Sequence, residues 1–190
     1  MAVLEINFCP SCGAAVELRC PADDDRQRHI GVACGTIHYQ NPKMVIGSIP
    51  EWEGPEGENK ILLCRRAIEP RYGLWTLPGG FMENGETAAE AAIRETSEEA
   101  NARIAIGDPY SMYSLPHINQ VHILFRARLL DTDFSPGLES LEVKLFTEAE
   151  IPWDEIAFRP TKLSLEHYFA DRRKGRFDFH VGELHTPACK

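Results

Sequence analysis

Apolar and polar positions in this chain follow two different periods, and the changes between them mark its elements. Met44 to Pro50 (MVIGSIP) and Lys60 to Arg65 (KILLCR) are short apolar runs without helical spacing, which predicts two strands. Glu51 to Asn59 (EWEGPEGEN) is polar and glycine-rich, so it predicts a hairpin loop between them. Thr87-Ala88-Ala89-Glu90 has the form of a capping box, with Thr87 as N-cap. Helix formers follow to about Ala100, and Asn101 tolerates the left-handed conformation that ends a helix. At roughly 100° per residue, Ala89, Ala92, Ile93, Thr96 and Ala100 share one face, predicted to be buried. Glu95, Glu98 and Glu99 fall on a separate arc. Beyond the helix, Asn101 to Ile106, Gln120 to Leu130 and Val143 to Phe146 predict strands. Thr161 to Arg173 predicts an amphipathic helix and Gly175 to Val181 a last extended segment. Internal repeats are absent.

The carboxylate arc is the first candidate chemistry. Glu95 and Glu99 are like charges four residues apart, which destabilise a bare helix by about 0.2–0.5 kcal/mol. Both lie in the last turns, where the macrodipole disfavours anions. Arg94 can pair with Glu90 or Glu98 but cannot neutralise three glutamates. A divalent cation can, and oxygen ligands at this spacing suit Mg2+ or Mn2+. A merely solvated acidic face is the plain alternative.

The wider spacing decides between them. Gly80, five residues, Glu86, seven residues and Arg94-Glu95-x-x-Glu98-Glu99 closely resemble the Nudix box. Thr96 stands where an aliphatic residue is usual and Asn101 where a glycine is usual; every charged position is intact. The resemblance implies an α/β fold, an α/β/α sandwich with a mixed sheet and the box helix packed on it. It implies that the Gly80 carbonyl with Glu95, Glu98 and Glu99 holds Mg2+ or Mn2+. Glu98, Glu99 and Glu139 are then the catalytic set, with Glu98 or Glu139 accepting the proton of the attacking water. Glu139 lies in the loop ahead of the Val143 strand, where similar proteins place a further acidic residue, and Glu142 is the reserve. Arg65 or Arg66, on opposite faces of one strand, steadies the substrate diphosphate.

Four of the six cysteines (9, 12, 20, 34, 64 and 189) fall in the first 34 residues. In a chain without a secretory signal this predicts metal binding rather than disulfides. Cys9-Pro-Ser-Cys12-Gly is a knuckle that aims two thiolates at one point, and Cys34-Gly35 looks like the end of a second. With the run Ile37-His38-Tyr39-Gln40-Asn41-Pro42-Lys43, this resembles the zinc ribbon that precedes the Nudix domain in NADH- and FAD-pyrophosphatase-like proteins. Those ribbons carry a second C-x-x-C, whose first position here is Gly31. Cys9, Cys12 and Cys34 remain, and Cys20 or His29 is the candidate fourth ligand of a structural Zn2+, with Cys20 preferred. A ribbon without zinc, held by its small core, is the alternative. The implied domains are a zinc ribbon over 1–42 and a Nudix hydrolase domain over 43–185.

Charge and composition narrow the partners. No apolar run approaches the ~20 residues of a membrane span, and the N-terminus lacks the basic and apolar regions of a signal peptide. Both predict a cytoplasmic protein. The net charge of -9 argues against a broad nucleic-acid surface, and Asp23-Asp24-Asp25 offsets Arg19, Arg26, Arg28 and Lys43 in the ribbon. An anionic substrate needs metal and local arginines to reverse the sign at the site. Cys64 and Trp75 read as core residues, Tyr110 and Tyr113 as packing or base-stacking residues, and His180 and His185 as surface residues. NADH-specific relatives carry an SQPWPFPxS signature after the box; this chain has Tyr110-Ser111-Met112-Tyr113-Ser114-Leu115-Pro116-His117. Pro116 stands at about the distance seen in ADP-ribose pyrophosphatase-like members. The resemblance therefore implies hydrolysis of FAD to FMN and AMP, or of ADP-ribose to AMP and ribose 5-phosphate. An NADH/NAD pyrophosphatase or RNA-cap hydrolase is the runner-up, a non-catalytic nucleotide-sensing module a further alternative. Family resemblance also suggests a homodimer.

Overall fold

Three short antiparallel strands follow the first cysteine knuckle: β1 (Val16–Arg19), β2 (Arg28–Gly31) and β3 (Ile37–His38). The computed structural model describes residues 6–54 and 57–185. It separates into two compact units, Met1–Pro42 and Lys43–Lys190. In the first, Val16 pairs with Gly31 and Arg19 with Arg28, while His29 lies opposite His38. Cys9 and Ile30 are its buried apolar side chains among the described residues. That is too little apolar burial for an unaided core.

The second unit is built on a mixed sheet. Its strands are β4 (Lys43–Glu53), β5 (Asn59–Arg66), β6 (Trp75–Thr76), β7 (Gly79–Phe81), β8 (Ile104–Leu115), β9 (Gln120–Leu129), β10 (Ser140–Phe146) and β11 (His180–Glu183). Two helices accompany them, α1 (Ala88–Ala100) and α2 (Arg159–Lys174). The strand order is β10-β5-β4-β9-β8-β11, with β6 on β5 and β7 on β4. The β4–β9 and β8–β11 pairs are parallel, the others antiparallel.

Alternation along the strands divides the core into two layers. Leu62 and Cys64 of β5 join Ala100 of α1 in one cluster, and Ile46 of β4 meets Ala91 and Ala92 in another. Ile61, Leu63 and Ile49 point the other way, onto Leu165, Tyr168 and Phe169 of α2. The result is the α/β/α sandwich with a mixed sheet that the box implied. Trp75 is a core residue, edge-on to Phe146. Cys64 is buried, and burial pushes its thiol well above the usual range.

The helix forms where the capping box placed it. Thr87 Oγ1 accepts from the Glu90 backbone, Glu90 reaches back to the Thr87 N–H, and Asn101 ends the helix at φ 47°. Its buried face differs from the expected one. Ala91, Ala92, Glu95, Thr96, Glu99 and Ala100 are buried, whereas Ile93 is 40% exposed. The side chains packed across from α1, not its own pattern, set the face. Alanines and the glycines of β7 leave room that admits the glutamates.

Two further expectations change. The strand after the box helix runs on to Leu115, because register shifts around Pro109 absorb the Gly107-Asp108-Pro109 break. Tyr110 and Tyr113 are consequently buried in β8. His180 is not a free surface residue: it stacks on His167 at 4.1 Å and lies 2.6 Å from buried Asp171. No helix of the described residues is long and apolar enough to cross a membrane.

Candidate active site

Close backbone contact between β4 and β7 comes first. Gly47 pairs with Gly79 and Ile46 with Gly80. A Cβ at Gly79 would lie 2.8 Å from the Gly47 Cα, and one at Gly47 would strike the Pro78 carbonyl. Glycine is therefore required at both positions. On the side of α1, a Cβ at Gly80 would lie 2.6 Å from both carboxylate oxygens of Glu95. The Gly79 N–H donates to Glu99 Oε2 at 3.3 Å.

Arg94 organises the rest with all five of its guanidinium N–H groups. Its Nε and Nη2 donate to the two oxygens of Glu86 at 3.0 and 2.7 Å. Nη1 donates to Glu95 at 2.7 Å and Glu98 at 3.0 Å, and Nη2 also to the Phe81 carbonyl at 3.1 Å. Glu90 is not among these partners, because the capping box occupies it. The Arg94 hydrogen bonds, assisted by the Glu83 N–H, hold Glu86 down at about 2. Burial instead pushes Glu99 up to about 8, more than the Gly79 N–H and Arg66 offset, and burial raises Glu95 despite Arg94.

The loop after β9 brings Glu139 to these carboxylates. Asn101 Nδ2 donates to the Ser135 and Pro136 carbonyls, each at 3.1 Å, and Ser135 N and Gly137 N donate to the Ala100 and Glu99 carbonyls at the end of α1. A Cβ on Gly137 would run into the Glu98 carbonyl oxygen. Glu139 then adds its charge to those felt by Glu95 and Glu99. Glu142 lies opposite Arg65 in the β10–β5 register, its carboxylate 3.9 Å from that guanidinium. Of the two arginines, Arg66 follows Leu62 and Cys64 on the α1 face and its charge acts on Glu99. Arg65 donates to the Gly73 carbonyl.

Among the described residues, Cys9, Cys12 and Cys34 form the set of three metal-donor atoms that gather within 4.8 Å of one another. The glutamate oxygens do not gather so closely. Their chemistry nonetheless fits a hard cation: Glu99 is buried without full compensation, Glu95 lies against the Gly80 backbone, and Glu98 is 60% exposed toward solvent. The structure does not bring Cys20 to the thiols. It is exposed, just beyond Arg19 at the far end of β1. Thr36 contacts Cys34 Sγ through its hydroxyl at 3.2 Å and draws that thiol down to about 6, a thiolate-favouring setting suited to Zn2+.

Several contributors escaped sequence reasoning. Ser48 meets Thr96 across the β4–α1 interface at 2.7 Å, and Gly137 and Asn101 dock the Glu139 loop. The two departures of the box from the usual pattern, Thr96 and Asn101, were the signals pointing to them.

Comparison with known proteins gives the family. The NUDIX domain model matches residues 53–169, and the Nudix N-terminal model, a zinc ribbon, matches residues 7–40. The chain therefore belongs to the NUDIX family of hydrolases. A crystal structure of a NUDIX hydrolase from Nitrosomonas europaea is 56% identical, with a TM-score of 0.90 over 95% of this chain and 100% of that one. An ADP-ribose pyrophosphatase of Methanocaldococcus jannaschii is 30% identical over 66% of this chain and 72% of its own length. The NAD-capped RNA hydrolase NudC of Vibrio atlanticus is 29% identical over 53% of this chain, but the match spans only 34% of that protein.

Proposed function

We propose that this chain hydrolyses the diphosphate bond of a nucleoside diphosphate linked to a second moiety, with ADP-ribose or FAD as the substrate. The observation that carries the reading is the buried Glu95–Glu99 pair set against the Gly79–Gly80 backbone, with Glu139 and Arg66 on the same side. Similarity to the M. jannaschii ADP-ribose pyrophosphatase supports ADP-ribose. Glu95, Glu98, Glu99 and the Gly80 carbonyl would hold Mg2+ or Mn2+, which when bound supplies charge neutralisation and an acidified water. Arg66 steadies the diphosphate. Glu98 or Glu139 accepts the proton of the attacking water. Arg94 touches none of the reacting atoms; it positions Glu95 and Glu98. The small-molecule nucleotide is the partner, and the cytoplasm the compartment in which such a substrate and reduced thiols coexist.

The test is a Mg2+-supported comparison of kcat/KM for ADP-ribose, FAD, NADH, NAD and an NAD-capped RNA. ADP-ribose or FAD should lead. Glu98→Gln and Glu99→Gln should each lower turnover at least ~10²-fold with unchanged far-UV circular dichroism. Near-normal rates in both variants would remove the carboxylates from the mechanism, and a lead for NAD-capped RNA would reassign the substrate.

A further inference from the structure

We propose that His38 supplies the fourth donor of a Cys3His zinc site in the N-terminal unit, in place of the side chain missing at Gly31. Cys9 Sγ lies 3.5 Å from Cys34 Sγ and 3.2 Å from His38 Nε2. Around one tetrahedral zinc, with Zn–S of about 2.3 Å and Zn–N of about 2.0 Å, adjacent sulfurs stand ~3.8 Å apart and sulfur and nitrogen ~3.5 Å apart. Both observed separations are within a few tenths of an ångström of those values. Cys12 completes the thiol set within 4.8 Å; the His38 ring touches Cys9 but stands outside that set, so closing the site on zinc requires it to swing toward the other two sulfurs.

Gly31 shows why a substitute is needed. A Cβ built there would lie 2.8 Å from both Cys9 Sγ and Cys34 Sγ, so a side chain at this position points straight into the thiol cluster. Glycine offers it no donor. The sheet presents a replacement on the same face. His29 is two residues from Gly31, which puts both on one side of β2, and His38 is directly opposite His29 in β3. It is the His38 ring that reaches Cys9. Cys20 is ruled out by strand geometry. Val16 pairs with Gly31 at the cluster end, and Cys20 is four residues farther along, ~13 Å at about 3.3 Å per residue. The role follows from the small core: a closed site ties the Cys9–Cys12 knuckle to β3, a cross-link the few buried apolar side chains do not replace.

The experiment uses the full chain purified without added metal. Elemental analysis should find one zinc per chain, and zinc-edge X-ray absorption should show three sulfurs and one imidazole. His38→Ala should raise the rate of zinc loss to a competing chelator by more than about tenfold, while Cys20→Ser and His29→Ala leave it unchanged. Gly31→Cys restores a donor at the original position. It should convert the shell to four sulfurs, and in that background His38→Ala should no longer matter. This pair of variants also decides the question if His38→Ala alone fails to fold. A native shell of four sulfurs, an imidazole signal that survives His38→Ala, or zinc far below one per chain with residues 6–40 still protected from hydrogen exchange would overturn the proposal. None of these readouts depends on hydrolysis.

Discussion

Thr96 sits in the box helix where an aliphatic side chain is usual, and the fold answers it with Ser48. Their hydroxyls are 2.7 Å apart, both fully buried, and Thr96 also donates to the Ala92 carbonyl. A buried hydroxyl left without a partner costs about 1–3 kcal/mol, whereas replacing both partners by apolar groups is close to neutral. Thr96→Val alone should therefore destabilise by about that amount. Adding Ser48→Ala should recover most of the loss. A double-mutant cycle in urea reads the coupling; a cycle that adds without interaction would show that the pair contributes nothing. The same logic at larger scale governs Arg94, whose five donors each meet an oxygen acceptor. Lysine has neither the number nor the planar arrangement of donors to replace it.

At the level of elements, the end of α1 and the loop carrying Glu139 behave as one device. Asn101 does two jobs there: it takes the left-handed turn at φ 47°, and its amide holds the Ser135–Pro136 backbone. Glycine, the usual residue, performs only the first. Asn101→Gly should keep α1 intact and stability within about 1 kcal/mol, since the turn itself is easier for glycine. The untethered loop should lower kcat while KM changes little, because the loop positions Glu139 rather than the substrate. Hydrogen exchange at residues 135–140 should rise in parallel. Unchanged exchange together with unchanged kcat would show that the backbone bonds from Ser135 and Gly137 suffice without the side chain.

For the molecule as a whole, His122 gives a defined acid dependence, read as the difference from a His122 variant because Glu99, raised to about 8, acts in the opposite sense. His122 lies in β9 between Val45 of β4 and Tyr113 of β8, and burial alone pulls it down to about 4. An unfolded histidine titrates near ~6.5, so between the two values the unfolded chain binds more protons. Stability from this group is fully present above about pH 6.5 and is lost as pH falls toward 4. The loss should be on the order of 2 kcal/mol by about pH 4.5, and His122→Gln should flatten that part of the profile. Urea midpoints at about pH 7.5 and 4.5 measure it; parallel slopes for the two proteins would exclude His122 as the cause.

Local physics explains which of these features the sequence determined by itself. The Thr87–Glu90 cap closes within one turn, the glutamate spacing is set by helical rise, and the Cys9–Cys12 knuckle spans four residues. None of these needs a distant partner. Tertiary structure alone decided that Glu95 and Glu99 are buried while Ile93 is exposed, that Arg66 rather than Arg65 shares a face with the carboxylates, and that Glu142 lies against Arg65. It also decided that β8 continues through Pro109 and that His38 meets Cys9 across 29 residues of chain. The helix face depends on what packs across from it, and the strand outcomes on register, where a slip of one residue turns every side chain to the opposite face; both are set by contacts between distant segments.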